Sequence, residues 1–126
     1  MKYMALIYGD PARQPKPDTP EFADFMAGYG KANQAFMAAG VLVSGEALQD
    51  TTTATTIREK GGRLETMDGP FAQSKEQLGG YYVLDCKDLD EAIRMAAMIP
   101  TVRYGSVEIR PLANLNPDTL PEHMRT

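Results

Sequence analysis

Two segments of this 126-residue chain are apolar on both sides of an extended backbone, which restricts the folds open to it. A strand points successive side chains to opposite faces. In residues 2–8, KYMALIY, one face carries Tyr3, Ala5 and Ile7 and the other carries Met4, Leu6 and Tyr8. In residues 80–85, GYYVLD, Tyr81 and Val83 oppose Tyr82 and Leu84 in the same way. A sheet with one solvated face alternates polar with apolar residues, and these segments do not. The chain has only two stretches of helical patterning, enough to cover one sheet face. The simplest cover for the other is the same sheet of a second copy. Each aliphatic or aromatic side chain buried there contributes about 1.5–3 kcal/mol, so a handful offsets an association cost of about 4–15 kcal/mol. The expectation is an obligate homodimer whose two sheets pack face to face. The alternative is that the C-terminal tail or a hairpin of the same chain folds over that face.

The remaining pattern supplies the elements. Gly9-Asp10-Pro11 closes the first strand, and Pro15 and Pro17 mark an exposed loop to residue 19. Asp18 or Thr19 caps a helix whose first turn suits Pro20, because the missing N–H has no helical partner there. Phe22, Phe25, Tyr29, Ala32 and Phe36 form one apolar helical stripe. Gly28 and Gly30 weaken this helix, by about 1 kcal/mol each relative to Ala, and suggest a close neighbour; Gly40 ends it as a left-handed cap. Residues 41–47 read as a second strand with Gly45 a bulge, and residues 53–59 and 63–67 as a hairpin turning at Lys60-Gly61-Gly62. Asp88 caps a second helix with Glu91 as reciprocal partner. Its apolar face is Leu89, Ala92, Ile93 and Ala96, and Pro100 stops it. Residues 106–110 form the last strand. The order β-α-β-hairpin-β-α-β predicts an α+β, ferredoxin-like two-layer sandwich: an antiparallel sheet with two helices. Residues 1–111 make one domain and residues 112–126 a C-terminal arm.

Composition narrows the functions. A net charge of −4 and a pI near 4.9 lack the basic footprint that phosphate backbones require, so no nucleic acid partner is expected. Arg58, Lys60 and Arg63 cluster around two glycines and read as a solvated hairpin tip. The one cysteine, Cys86, allows no internal disulfide; Asp85 beside it disfavours the thiolate. The apolar start is too short for a signal peptide or a membrane span, so no membrane and a cytoplasmic location are expected. The single histidine, His123, lies in the proline-flanked tail. A haem ligand, a Ser-His-Asp triad and a histidine zinc site therefore lack their imidazoles, and no metal or cofactor is expected. The eight methionines read as core filler.

Several polar residues stand where a site would form. Asp68 ends the hairpin and either fixes the following turn or presents a carboxylate as general base. Phe71 is a plug that pins the loop or a surface for stacking a ligand. Lys75 and Glu76, if not simply solvated, pair an anion-binding ammonium with a general acid or base, which requires burial to raise the carboxyl pKa. Glu108 and Arg110 share one strand face opposite Val107 and Ile109, as an ion pair at the subunit boundary or a polar pocket floor. Of Tyr81 and Tyr82, one is core and one offers its hydroxyl to a ligand; Arg103 and Tyr104 precede the last strand and reach the same region.

DGPF at residues 68–71, SKE at 74–76, LGGYYVLD at 78–85, DLDEA at 88–92 and GSVEIRP at 105–111 together resemble the DGPF family of YCII-related proteins. The resemblance implies a bacterial protein with a ferredoxin-like subunit in a dimeric α/β barrel. It also implies an association with sigma factors of the extracytoplasmic-function type, and no settled activity. Wider YCII relatives carry a His-Asp pair that this chain, without a core histidine, does not have. The expected function is binding of a small polar or anionic molecule, or of a sigma-factor-linked protein partner, in a homodimer. The alternatives are a protein-interaction module and a cofactor-independent enzyme for proton transfer or isomerisation. In the enzyme, Asp68 or Glu76 is the base, Lys75 or Arg110 holds an anionic substrate, and Glu108, Phe71 and Tyr82 complete the site.

Overall fold

The computed structural model describes residues 1–113, 118 and 122–124, so most of the expected C-terminal arm lies outside the described residues. Among the described residues six strands and two α-helices occur in the order β1 (Lys2–Gly9), α1 (Pro20–Ala38), β2 (Leu42–Ala47), β3 (Thr55–Lys60), β4 (Arg63–Asp68), β5 (Gln77–Asp85), α2 (Leu89–Ala96) and β6 (Gly105–Pro111). Thr19 is the cap of α1; its hydroxyl accepts the Phe22 N–H at 3.2 Å, and Pro20 opens the helix. Asp88 caps α2 by accepting the Glu91 N–H at 2.9 Å. The return bond differs from the expected reciprocal pair: Glu91 reaches past the cap and accepts the Lys87 N–H at 3.0 Å.

The main sheet has the strand order β2-β5-β1-β6, with every neighbouring pair antiparallel. β3 and β4 form a separate two-stranded sheet, turning through Gly61 and Gly62, whose φ values of 58° and 77° suit glycine. β5 starts three residues before the expected residue 80. Glycines lack a side-chain signal for strand, yet Gly80 is paired to Ile7 and Ala47 through its backbone. A Cβ on Gly80 would stand 2.8 Å from the Glu46 carbonyl oxygen, so the close approach of β2 needs glycine there.

Register shows how the two faces differ. Tyr3 lies opposite Leu84, Ala5 opposite Tyr82 and Ile109, and Ile7 opposite Val107. These residues meet Ala32 and Phe36 of α1, Ala92 and Ala96 of α2, and Ile99 in one core. Phe36 and Ile99 are wholly buried, and the Phe36 ring meets Tyr82 edge-on at 5.1 Å between centroids. Both helices therefore cover the same face. The second face carries Met4, Leu6, Tyr8 and Tyr81, all half-buried, with Val83 at 8% exposure. Glu108 and Arg110, opposite Leu6 and Met4, rim it. The doubly apolar pattern is thus present in the folded chain, with its second face left by the helices.

A cleft beneath helix α1

The apolar stripe of α1 is not buried evenly. Ala32 and Phe36 are fully buried, whereas Phe22, Phe25 and Tyr29 are only half-buried. A cleft of about 610 Å³ opens beneath that N-terminal half, lined by Phe25, Met26, Tyr29 and Asn33 of α1 together with the ends of β1, β2 and β5. The volume falls in the range of about 300–1,000 Å³ usual for small-molecule sites.

Tyr82 lines the cleft and is fixed on three sides. Its ring lies against the Cα of Gly45, where a Cβ would come within 2.6 Å of Cδ1. Phe36 holds its edge. Its hydroxyl donates to Asn33 Oδ1 at 2.6 Å. Tyr29 is held in parallel: Phe25 meets its ring edge-on at 5.3 Å, and its hydroxyl lies 2.6 Å from Oγ1 of the buried Thr101. Burial raises the Tyr29 pKa above the ordinary phenol value. Burial also raises that of Tyr82, aided by repulsion from ionised Tyr29. Both phenols are therefore neutral hydroxyls at physiological pH. Glu46 and Asp50 also line the cleft, and among the described residues no lysine, arginine or histidine does. Asp50 is engaged locally, its Oδ1 accepting the Thr52 N–H at 3.1 Å to cap the turn at Thr51–Thr53.

Among the candidate residues singled out from sequence, Tyr81 and Tyr82 line this cleft and the others do not. Asp68 is exposed at the end of β4; the turn beyond it is closed by the Gly69 N–H on the Ala54 carbonyl and the Thr56 hydroxyl on the Gly69 carbonyl. Phe71 is 70% exposed, with the Arg58 guanidinium 5.4 Å from its ring centroid. Lys75 is exposed. Glu76 accepts the Ser106 hydroxyl at 3.0 Å, which ties the segment before β5 to β6. Glu108 pairs with Arg110 on the second sheet face, while Val107 and Ile109 pack on the core. Asp68, Lys75, Glu76 and Arg110 do not line the cleft beneath α1. Sequence reasoning passed over Asn33, Tyr29, Gly45 and Thr101. The available signal was Asn33, a carboxamide between Tyr29 and Phe36 on an otherwise apolar helix face.

Cys86 is buried, and its thiol pKa is pushed up by burial, then by Glu91 and Asp85. Among the described residues no cluster of three or more His, Cys, Asp or Glu is placed to hold a metal, and no helix is long and apolar enough to cross a membrane.

These features define an antiparallel α+β, ferredoxin-like domain with a ligand-sized cleft between its first helix and its sheet. The chain belongs to the YCII-related domain family, whose model matches residues 1–116. It is 37% identical over 123 residues to an uncharacterised protein of Rhizobium meliloti, covering 96% of this chain and 99% of that one. A similar solved structure is 5-chloro-2-hydroxyhydroquinone dehydrochlorinase from Burkholderia phenoliruptrix, in complex with 2,5-dihydroxybenzoquinone. That similarity has a TM-score of 0.45 and 10% identity, covering 90% of this chain and 94% of the other.

Proposed function

We propose that the protein binds a small polar organic molecule in the cleft beneath α1. One observation carries this reading. Aromatic walls from Phe25, Tyr29 and Tyr82 meet the polar groups of Asn33 and Thr101 in a single hollow of about 610 Å³. Large apolar surface supplies affinity, and a few fixed polar groups supply orientation. The test is a thermal-shift screen of metabolites against the native chain and an Ala47→Trp variant that fills the cleft from β2. A ligand at a hundred times its Kd stabilises by about 2.7 kcal/mol, and the variant should not respond. Hits that stabilise both proteins equally, or no hits at all, would refute the cleft as the site.

The homodimer belongs to the same proposal. Its support is the second sheet face, where Met4, Leu6, Tyr8, Tyr81 and Val83 form an apolar surface rimmed by Glu108 and Arg110. Placing a charge at its centre with Leu6→Glu should shift sedimentation from dimer to monomer at micromolar concentration; a native chain that already sediments as a monomer would remove the proposal. The proton-transfer reading depends on this dimer, because Glu76, Glu108 and Arg110 lie at or beside that face and outside the cleft of their own chain. A cytoplasmic location is supported by the short apolar run at the start of the sequence and a sigma-factor-linked partner by the DGPF resemblance, and co-purification with such a factor from a bacterial host tests the second.

A further inference from the structure

We infer that the Asn33 carboxamide is the specificity-determining group of the cleft and selects a neutral, ring-bearing ligand through a hydrogen-bond acceptor such as an amide or ketone carbonyl. This inference rests on the cleft being a ligand site. It adds which chemistry the site accepts and which residue decides it.

The argument starts from the Tyr82 hydroxyl. It donates to Asn33 at 2.6 Å, so the oxygen of the amide faces the tyrosine. A side-chain amide has one acceptor oxygen and two N–H donors. With the oxygen engaged, both donors sit on the other branch of the amide. They have no partner among the described residues, yet no buried side-chain nitrogen or oxygen is left unsatisfied, so the Nδ2 group is open to solvent or ligand. Tyr82 cannot swing away to release the amide, because Gly45 and Phe36 hold its ring on two sides. The donor pair is therefore preorganised at the cleft wall, which lowers the ordering cost of binding.

Charge decides the rest. Among the described residues the cleft is lined by two carboxylates and no cationic side chain, and the phenols of Tyr29 and Tyr82 are neutral. An anion entering it loses hydration and meets no counter-charge, a costly transfer. An ammonium is drawn to Glu46 and Asp50, but both are exposed and screened by water, and it cannot satisfy the N–H donors of Asn33, which oppose it. A neutral carbonyl satisfies those donors, while Phe25 and Tyr29 offer ring edges and faces to an aromatic body.

The experiment uses three probes of matched shape: benzamide, benzoate and benzylamine, each titrated at millimolar concentration into the full chain and followed by backbone and side-chain amide shifts of Asn33, Gly45 and Gly80. Benzamide should move these signals and bind about tenfold more tightly than benzoate or benzylamine, the margin of one hydrogen bond to a preorganised donor. Asn33→Asp keeps the shape of the side chain and the acceptor for Tyr82 but removes both donors. It should lose benzamide about tenfold and gain benzylamine, with an unchanged circular dichroism spectrum showing that it folds. Benzoate binding in the cleft as tightly as benzamide, or benzamide affinity unchanged in Asn33→Asp, overturns this inference while leaving the cleft as a binding site. Silence at all three residues with all three probes overturns both.

Discussion

Replacing Gly28 and Gly30 by alanine should move stability in opposite directions, although both lie in the same helix two residues apart. A glycine inside a helix costs about 1 kcal/mol relative to alanine, through backbone freedom lost on folding. On propensity alone both substitutions stabilise. At Gly30 a new Cβ would meet nothing within 4 Å, so the gain is expected in full. At Gly28 it would stand 2.7 Å from Cγ of Pro100 and 3.5 Å from its Cβ. Carbon atoms in good contact sit about 3.5–4.0 Å apart, so the neighbour must yield by about 1 Å. Pro100 is a closed ring at the head of the 3₁₀ turn Pro100–Arg103, and that turn also carries Thr101, the partner of Tyr29. Overpacking of this kind costs about 1–3 kcal/mol. Subtracting the helix gain leaves a net loss of about 0–2 kcal/mol. For a domain of this size each kcal/mol moves Tm by about 3–5 °C. Gly30→Ala should therefore raise Tm by about 3–5 °C, while Gly28→Ala should leave it unchanged or lower it by up to about 10 °C. The chain has no tryptophan, so thermal and urea unfolding are followed by far-ultraviolet circular dichroism. If Gly28→Ala stabilises as much as Gly30→Ala, α1 does not approach Pro100 as described, and the geometry of the cleft's helical wall is wrong with it.

Other outcomes follow from the same contacts. Asp88→Ala removes the acceptor of the Glu91 N–H and should cost about 1 kcal/mol in urea unfolding, whereas Asp88→Asn should recover most of it. Stability should fall at alkaline pH: Tyr29 and Tyr82 have folded pKa values raised above the unfolded value near 10, so the folded chain holds protons that the unfolded chain gives up. The contribution is complete below about pH 10 and is lost as pH rises through the folded values. Tm measured from pH 8 upward checks this, and Tyr82→Phe should flatten the alkaline limb. Gly105→Ala should cost more than about 3 kcal/mol in urea unfolding, because its Cβ would lie 2.2 Å from the Tyr8 carbonyl oxygen and 3.0 Å from Gly9 Cα, and backbone cannot rotate away as a side chain can.

The order of elements was legible because each one is announced by neighbours in sequence. Thr19-Pro20 and Asp88 start the helices through local capping, and Gly61-Gly62 turns the hairpin through φ values that glycine adopts freely. The alternation in β1 and β5 was enough to assign side chains to faces: Tyr3, Ala5 and Ile7 on the core, Met4, Leu6 and Tyr8 on the other side. The start of β5 was less legible, since Leu78 and Gly80 pair with β1 on either side of an irregularity at Gly79, through backbone groups that leave no periodic signature.

The candidate site was legible only at Tyr81 and Tyr82, and the reason is geometric. A cleft is a property of two elements that diverge, and helical periodicity reports one element at a time. Phe25, Tyr29, Ala32 and Phe36 form a uniform stripe in sequence, yet the last two are sealed on the sheet while the first two overhang a hollow. What separates them lies elsewhere in the chain. Gly28 meets Pro100, which sets the approach of the helix to the turn after α2. Gly45 leaves room for the Tyr82 ring at the sheet edge. Neither glycine touches the polar groups that line the hollow in a way that composition or spacing reveals, but together they determine where Tyr29 and Tyr82 stand. Asn33 is the exception that carries information in both views. A carboxamide in an apolar helical stripe is expensive unless it is paired, and its oxygen is paired with a tyrosine from the far side of the sheet sequence, 49 residues away. The pairing leaves its N–H donors without a partner among the described residues. Where charged residues were conspicuous in sequence, at Asp68, Lys75, Glu76 and Arg110, the chain keeps them outside the cleft. A polar residue that interrupts an apolar face must be compensated by structure on the inside of the fold, and Asn33 accordingly stands at the cleft with Tyr82 as its partner.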